Sequence, residues 1–386
     1  MTVAVVSGAL ANKPGNGGNA WTRMCWVVGL RRLGFDVYFV EELPRPDDRS
    51  STCEREGPAG SEGAEWFRSV TSQFGLAGRT SLMFEDGGAI VGLRADELRE
   101  VAEGAMLVNI GGHLTNASVL RRFRRRAYYD DDPGYTQLWA VSGNLGSRLQ
   151  GHDVHFTVGG NIGAADCTVP TAGLAWHPMA PPVVLESWPA AGPVAFDRFT
   201  TVGSWRGPYG PVTAGGTTYG SKAHEFRRFM ALPELVPERF ELALDIHPAD
   251  HADRERLARS GWHLVDPASA SSDPDRFRSY LRGSGAEFSA AQEIYVRTKC
   301  GWFSDRTARY LASGRPALVQ DTGFSRTYPV GEGLLVFRSV EEAVAGVRAV
   351  VDDYERHCRA ARSLAEELFD SDRVLGRFVE LTGVTP

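Results

Sequence analysis

The sequence predicts an α/β protein whose two parallel-sheet halves face each other across a cleft. Three observations predict this. Short apolar runs alternate with stretches of helical spacing, the order a parallel sheet requires because its strands must be joined by crossovers. The alternation breaks once, over residues 168–193, where Pro170, Pro178, Pro181, Pro182, Pro189 and Pro193 crowd together, and then restarts. A length of 386 residues, at roughly 150 per domain, allows two to three domains rather than one small module.

The elements follow in order. Residues 3–6 are an apolar strand, followed by a loop rich in glycine, asparagine and proline. Helical spacing then runs over 21–33, Gly34 stops it, and 36–40 form a second strand. Residues 45–63 are polar enough to be a mobile loop. A buried strand over 105–110 ends in Gly111, Gly112 and His113, and the arginines at 121, 122 and 124–126 read as a solvated helix face. The proline-rich region is the expected hinge. Beyond it, strands are expected at 199–202, 240–244, 263–265 and 317–320, with a strand or turn at 287–288. Helices are expected at 221–231 and 253–260 and after the Asp273–Pro274 cap. Another spans 304–313, closed by Gly314 and Pro316, and one follows the capping box Ser339–Glu342. The expected domains are residues 1–190 and 191–365, with a terminal helix over 366–386 packing back on the first.

Composition narrows the function. A net charge of −6 gives no broad positive field for a nucleic-acid backbone, so nucleic acid is not the expected partner. Five scattered cysteines without a C-x-x-C pair fit a reducing cytoplasm. No apolar run reaches the roughly 18 residues of a membrane span. Lys13, Lys222 and Lys299 are the only lysines beside 39 arginines, a bias that reads as GC-rich coding rather than chemistry.

Several clusters could carry chemistry. Gly15-Asn16-Gly17-Gly18-Asn19-Ala20 formally satisfies the dinucleotide fingerprint, with Glu41 standing where a ribose-binding acid belongs. However, residues 8–14 separate it from the strand, so Gly17, Gly18 and Asn19 better suit a loop that wraps an acceptor or phosphate. Asp130-Asp131-Asp132 could hold a divalent cation, but Pro133-Gly134 follows and favours a turn. His113 emerges at a strand end, where it could bond a sugar hydroxyl or act as a base; His177, in the hinge, reads as structural. Arg206 and Lys222 flank a glycine-rich loop before a helix, a plausible clamp for a diphosphate. Ser304, Asp305, Arg306 and Thr307 open a helix whose N–H groups could meet a phosphate, and Asp321, Thr322 and Gly323 follow a strand on the expected cleft side.

The stretch 302–337, WFSDRTARYLASGRPALVQDTGFSRTYPVGEGLLVF, resembles the C-terminal donor-domain signature of GT-B-fold glycosyltransferases near the group 1 set. Tyr310 to Pro316 match its helix-Gly-x-Pro-strand element. The loop at 15–19, the strand Thr201-Val202-Gly203 and the Lys222 helix agree in order. The resemblance implies two Rossmann-like domains, a nucleotide-diphosphate sugar as co-substrate on the second and a small-molecule acceptor on the first. It implies no tightly bound cofactor and no metal. Arg206 and Lys222 would hold the diphosphate, and His113 would lie near the donor sugar. A paired-glutamate feature of many members is absent, since Gly301 and Arg309 stand there; Ser304, Asp305 and Arg306 are the expected replacements. Taken with the GC-rich bias, the resemblance implies a secondary metabolite as the acceptor. Two other readings remain: an NAD-dependent oxidoreductase built on the fingerprint, and a non-catalytic relative acting as a partner subunit.

Overall fold

In the computed structural model the fold is described for residues 1–45, 60–143, 148–192 and 195–386; most of the loop expected at 45–63 lies outside them. The first half is an eight-stranded sheet. Its strands are β1 (Val3–Ser7), β2 (Asp36–Leu43), β3 (Thr80–Phe84), β4 (Ala89–Gly92), β5 (Met106–Ile110), β6 (Arg125–Asp130), β7 (Val154–Thr157) and β8 (Trp176–Pro178). They lie in the order β4-β3-β2-β1-β5-β6-β7-β8, parallel except for the β3–β4 pair. Helices cover the sheet, so a central strand such as β5 is buried at every residue and reads as a continuous apolar run.

The second half contains β9 (Phe199–Ser204), β10 (Val212–Ala214), β11 (Thr217–Tyr219), β12 (Phe240–Asp245), β13 (His263–Leu264), β14 (Ala286–Ser289), β15 (Ala317–Gln320) and β16 (Leu334–Phe337). Six of these form an all-parallel sheet in the order β13-β12-β9-β14-β15-β16. In both sheets the order reverses beside the first strand of that half, β1 or β9. A crevice therefore opens past Ser7 in one and Ser204 in the other.

Four local readings change. The arginine run is no helix face: a one-turn helix, Ala117–Leu120, ends before it, and Arg125 and Arg126 begin β6, where Arg126 pairs with Asp153 at 2.8 Å. The glycine-rich loop after β9 carries the β10–β11 hairpin, whose turn residues Gly215 and Gly216 have φ of 56° and 76°. The helix expected at 221–231 is a short Lys222–Phe226 segment that tightens into a 3₁₀ turn at Arg227–Phe229. The proline-rich region contains the edge strand β8 before the chain crosses over.

That crossing is paired with the return crossing. The Val183 N–H donates to the Phe369 carbonyl at 2.7 Å, and the Ser371 N–H donates to the Val183 carbonyl at 2.9 Å. The helix Ser371–Thr382 then lies on the first half, with Phe378 against Trp26 and Phe156 at 5.1 and 4.7 Å between ring centres. The helix Gly17–Arg32 joins the halves directly. Its Trp21 indole donates to the Pro274 carbonyl at 2.8 Å and packs edge-on against Trp188. Among the described residues, no helix is long and apolar enough to cross a membrane.

Candidate active site

The carboxyl ends of β1 and β9 face each other across a cavity of about 570 Å³, lined from both halves. On the second-sheet side its floor is Gly203. Were a Cβ present there, it would stand 3.5 Å from Arg306 Nη1 and 3.9 Å from Lys222 Nζ, so two cations converge over a strand end bare of side chain. Arg306 is held rigidly: Nε meets Glu287 at 2.8 Å, Nη1 the Val202 carbonyl at 2.8 Å and Nη2 the Ser289 hydroxyl at 2.6 Å. Glu287 is fully buried, so this pair anchors a charge where water cannot. Lys222 is buried as well, yet its ammonium carries no hydrogen bond or ion pair among the described residues. Burial, with Arg306 alongside, brings its pKa down to about 7.

The helix Asp305–Ala312 opens into the same cavity through Ser304, Asp305, Arg306 and Arg309. Asp305 accepts from Thr22 of the first half and pairs with Arg309 at 2.6 Å, and Arg309 holds its carboxyl below the usual range. Arg309 thus neutralises a carboxylate at the cavity wall.

The first-sheet wall comes from the loop after β1 and the turn after β6. Lys13, Gly18, Asn19 and Arg23 face Asp131 and Asp132 there. Arg23 Nη1 pairs with Asp131 at 3.0 Å. Asp132 accepts from two tyrosines of the other half, Tyr295 at 2.9 Å and Tyr209 at 3.1 Å, and burial pushes its pKa up to about 6. Asp130 points inward. It accepts from Thr136, Gln137 and Thr157 at 2.7–2.8 Å, so the three aspartates diverge rather than share one ligand point. Among the described residues, no group of three or more His, Cys, Asp or Glu side chains is placed to hold a metal ion.

Several expected site residues lie elsewhere. The Arg206 guanidinium is exposed and held by Asp250 through two bonds at 2.7 and 2.9 Å, outside the cavity wall; Arg306 is the cation that partners Lys222. Thr307 turns into the interior beneath the helix. Asp321 caps its own turn through Gly323 N–H and Ser325 and pairs with Arg338; the Thr322 hydroxyl bonds the Trp302 carbonyl, and Gly323 packs against Asn161. None of these three lines the cleft. Gly17 is needed for close approach, since a Cβ would fall 2.0 Å from the Asp273 carbonyl oxygen. His113 stands behind the wall beside Asp131; burial and Arg23 lower its pKa to about 3, leaving it neutral. Glu41, the acid of the dinucleotide fingerprint, is turned onto the Ala11 and Asn12 N–H groups and buried, with no face left for a ribose.

Sequence reasoning missed Lys13, Arg23, Tyr209 and Tyr295. One signal was available for Lys13: it is one of three lysines, and it stands in the loop after β1.

Two doubly wound domains with their carboxyl edges facing across one cleft make up the GT-B fold of nucleotide-sugar glycosyltransferases. The chain is similar over its whole length to HepE of Anabaena in complex with UDP and glucose, at 11% identity, 100% coverage of both chains and a TM-score of 0.62. It is also similar to AviGT4, a glycosyltransferase involved in avilamycin A biosynthesis, at 14% identity, 99% and 97% coverage and a TM-score of 0.56. Sucrose-phosphate synthase of Thermosynechococcus elongatus gives 10% identity, 99% and 98% coverage and a TM-score of 0.55. No protein-family model and no curated protein matches the chain.

Proposed function

We propose that the protein is a glycosyltransferase that moves a sugar from a nucleoside-diphosphate donor to a hydroxylated small molecule, with a secondary metabolite as the expected acceptor class. The observation that carries this reading is the pair Lys222 and Arg306 converging over Gly203, with one ammonium buried and unpartnered. An unpaired buried cation is costly unless an anion arrives to match it. A diphosphate does so, while Ser304 at the adjacent helix start offers backbone N–H groups to the same charge.

In this reading residues 191–365 hold the donor and residues 1–190 the acceptor. The sugar C1–O bond to the diphosphate breaks, the electron pair leaves with the nucleoside diphosphate, and the acceptor hydroxyl oxygen bonds C1 as its proton departs. Negative charge grows on the leaving oxygens, where Lys222 and Arg306 stabilise it without moving. Asp131 and Asp132 are the carboxylates facing the acceptor side, and Asp132, with its raised pKa, is the better placed to take a proton near neutrality. His113, neutral behind this wall, takes no proton in the step.

Calorimetric titration with UDP, GDP, TDP and NADH tests the reading. At least one nucleoside diphosphate is expected to saturate a single site that NADH does not displace. Saturation by NADH alone would overturn it in favour of an oxidoreductase.

A further inference from the structure

The first-sheet wall of the cleft carries a charge pattern that transfer to a neutral hydroxyl does not require. Each carboxylate there is already engaged. Asp131 is held by Arg23, Asp132 by the Tyr209 and Tyr295 hydroxyls, and Glu41 by the N–H groups of the loop after β1. The cations are matched only in part. Lys13 lines the cavity with no hydrogen bond or ion pair among the described residues. Arg23 is 5% exposed and lines the same cavity; its Nε has no partner, and only Nη1 is matched, by Asp131. Behind the wall stand His113, which is neutral, and Arg148, whose charge acts on that histidine. Burial and Arg23 depress the Lys13 ammonium, although Asp131, Asp132 and Glu41 pull the other way, and none of the three pairs with it directly.

We propose that the acceptor is anionic: the hydroxylated molecule bound against the first sheet carries a carboxylate or phosphate that pairs with Lys13 and Arg23. The two basic clusters then divide the cleft between them. Lys222 and Arg306 take the donor diphosphate, and Lys13 and Arg23 take the acceptor oxyanion, which sets the acceptor hydroxyl between them. This inference rests on the donor reading for the word acceptor, but the anion site itself does not.

The test uses the full chain with its donor site filled by UDP, so that a second anion must bind elsewhere. Inorganic phosphate and acetate are titrated separately at constant ionic strength. One equivalent of either is expected to bind, with roughly tenfold or greater loss of affinity in Lys13→Met, the size expected for one charge-assisted bond, and recovery in Lys13→Arg. UDP affinity is expected to stay within about twofold in both variants. Preference for phosphate identifies a phosphate ester and preference for acetate a carboxylate. No binding of either anion, or equal binding in Lys13→Met, overturns the proposal. Should UDP itself not bind, the donor reading fails separately, and the anions are titrated into the free protein. Loss in Lys13→Met but not in Lys222→Met sustains the first-sheet site, and equal binding in all three proteins removes it.

Discussion

Replacing Lys222 by methionine keeps the aliphatic stem in its packing and removes only the charge, and the structure predicts opposite effects on the empty and the occupied protein. In the empty cleft the ammonium is buried beside Arg306 without a partner, and its pKa falls from 10.5 to about 7. The unfolded chain then binds the proton more tightly than the folded one. The charge is therefore a penalty in full below pH 7, and one that fades as pH rises toward 10.5. At pH 7 that penalty is on the order of 3–5 kcal/mol. Lys222→Met should therefore raise the melting temperature of the ligand-free protein by a few degrees near pH 7, with the gain vanishing by about pH 10. Binding moves the other way. Loss of one charge-assisted hydrogen bond to a diphosphate costs about 1.5–3 kcal/mol, roughly 10- to 100-fold in Kd. For the same reason the unaltered protein should bind the diphosphate more weakly as pH rises from about 7 to 9, and the variant should lose that slope. Scanning calorimetry and titration calorimetry on one pair of samples read both effects. A lowered melting temperature together with unchanged diphosphate affinity would make Lys222 a packing residue and remove it from the diphosphate site.

Three further outcomes follow from particular contacts. Arg306→Gln strands the fully buried Glu287 and should destabilise the protein by about 3–5 kcal/mol in a denaturant titration; an unchanged midpoint would contradict the buried pair. Arg206→Ala removes only an exposed pair with Asp250, so stability should change by less than about 1 kcal/mol and diphosphate affinity by less than about twofold. A tenfold loss of affinity would return Arg206 to the site. His113 is neutral throughout the working range, so the pH–rate profiles of the protein and of His113→Gln should have the same shape between about pH 5 and 8. An inflection near the ordinary histidine pKa that disappears in the variant would instead make His113 the titrating base.

Much of the fold is legible because local rules agree with the tertiary outcome. Gly34 and Gly314, with φ of 96° and 67°, end helices where glycine tolerates the left-handed turn, and Asp273 caps a helix opened by Pro274. Lys222 and Ser304 could be placed at the cleft because each stands at a helix start, where backbone N–H groups can meet a phosphate. What was not legible depends on partners distant in sequence. Arg206 looks like a free clamp until Asp250, 44 positions away, is seen to hold it. Gly17 reads as a loop glycine until the Asp273 carbonyl, from the other half, stands where its Cβ would go. Asp132 belongs to an apparent cation cluster until Tyr209 and Tyr295 are found on it. The arginine run misled for another reason. Charge alone does not distinguish a helix face from the solvent end of a strand, and the Asp153 partner that fixes Arg126 lies on the neighbouring connection.

In the proposed function the cleft activates a nucleotide sugar through Lys222 and Arg306. The most direct measurement is the release of nucleoside diphosphate from UDP-, GDP- and TDP-glucose, followed by mass spectrometry for the protein and for Lys222→Met. Release is expected from at least one donor, with the variant slower by roughly tenfold or more at unchanged fold. Equal rates in the two proteins, or no release from any donor by a protein that binds NADH, would contradict it.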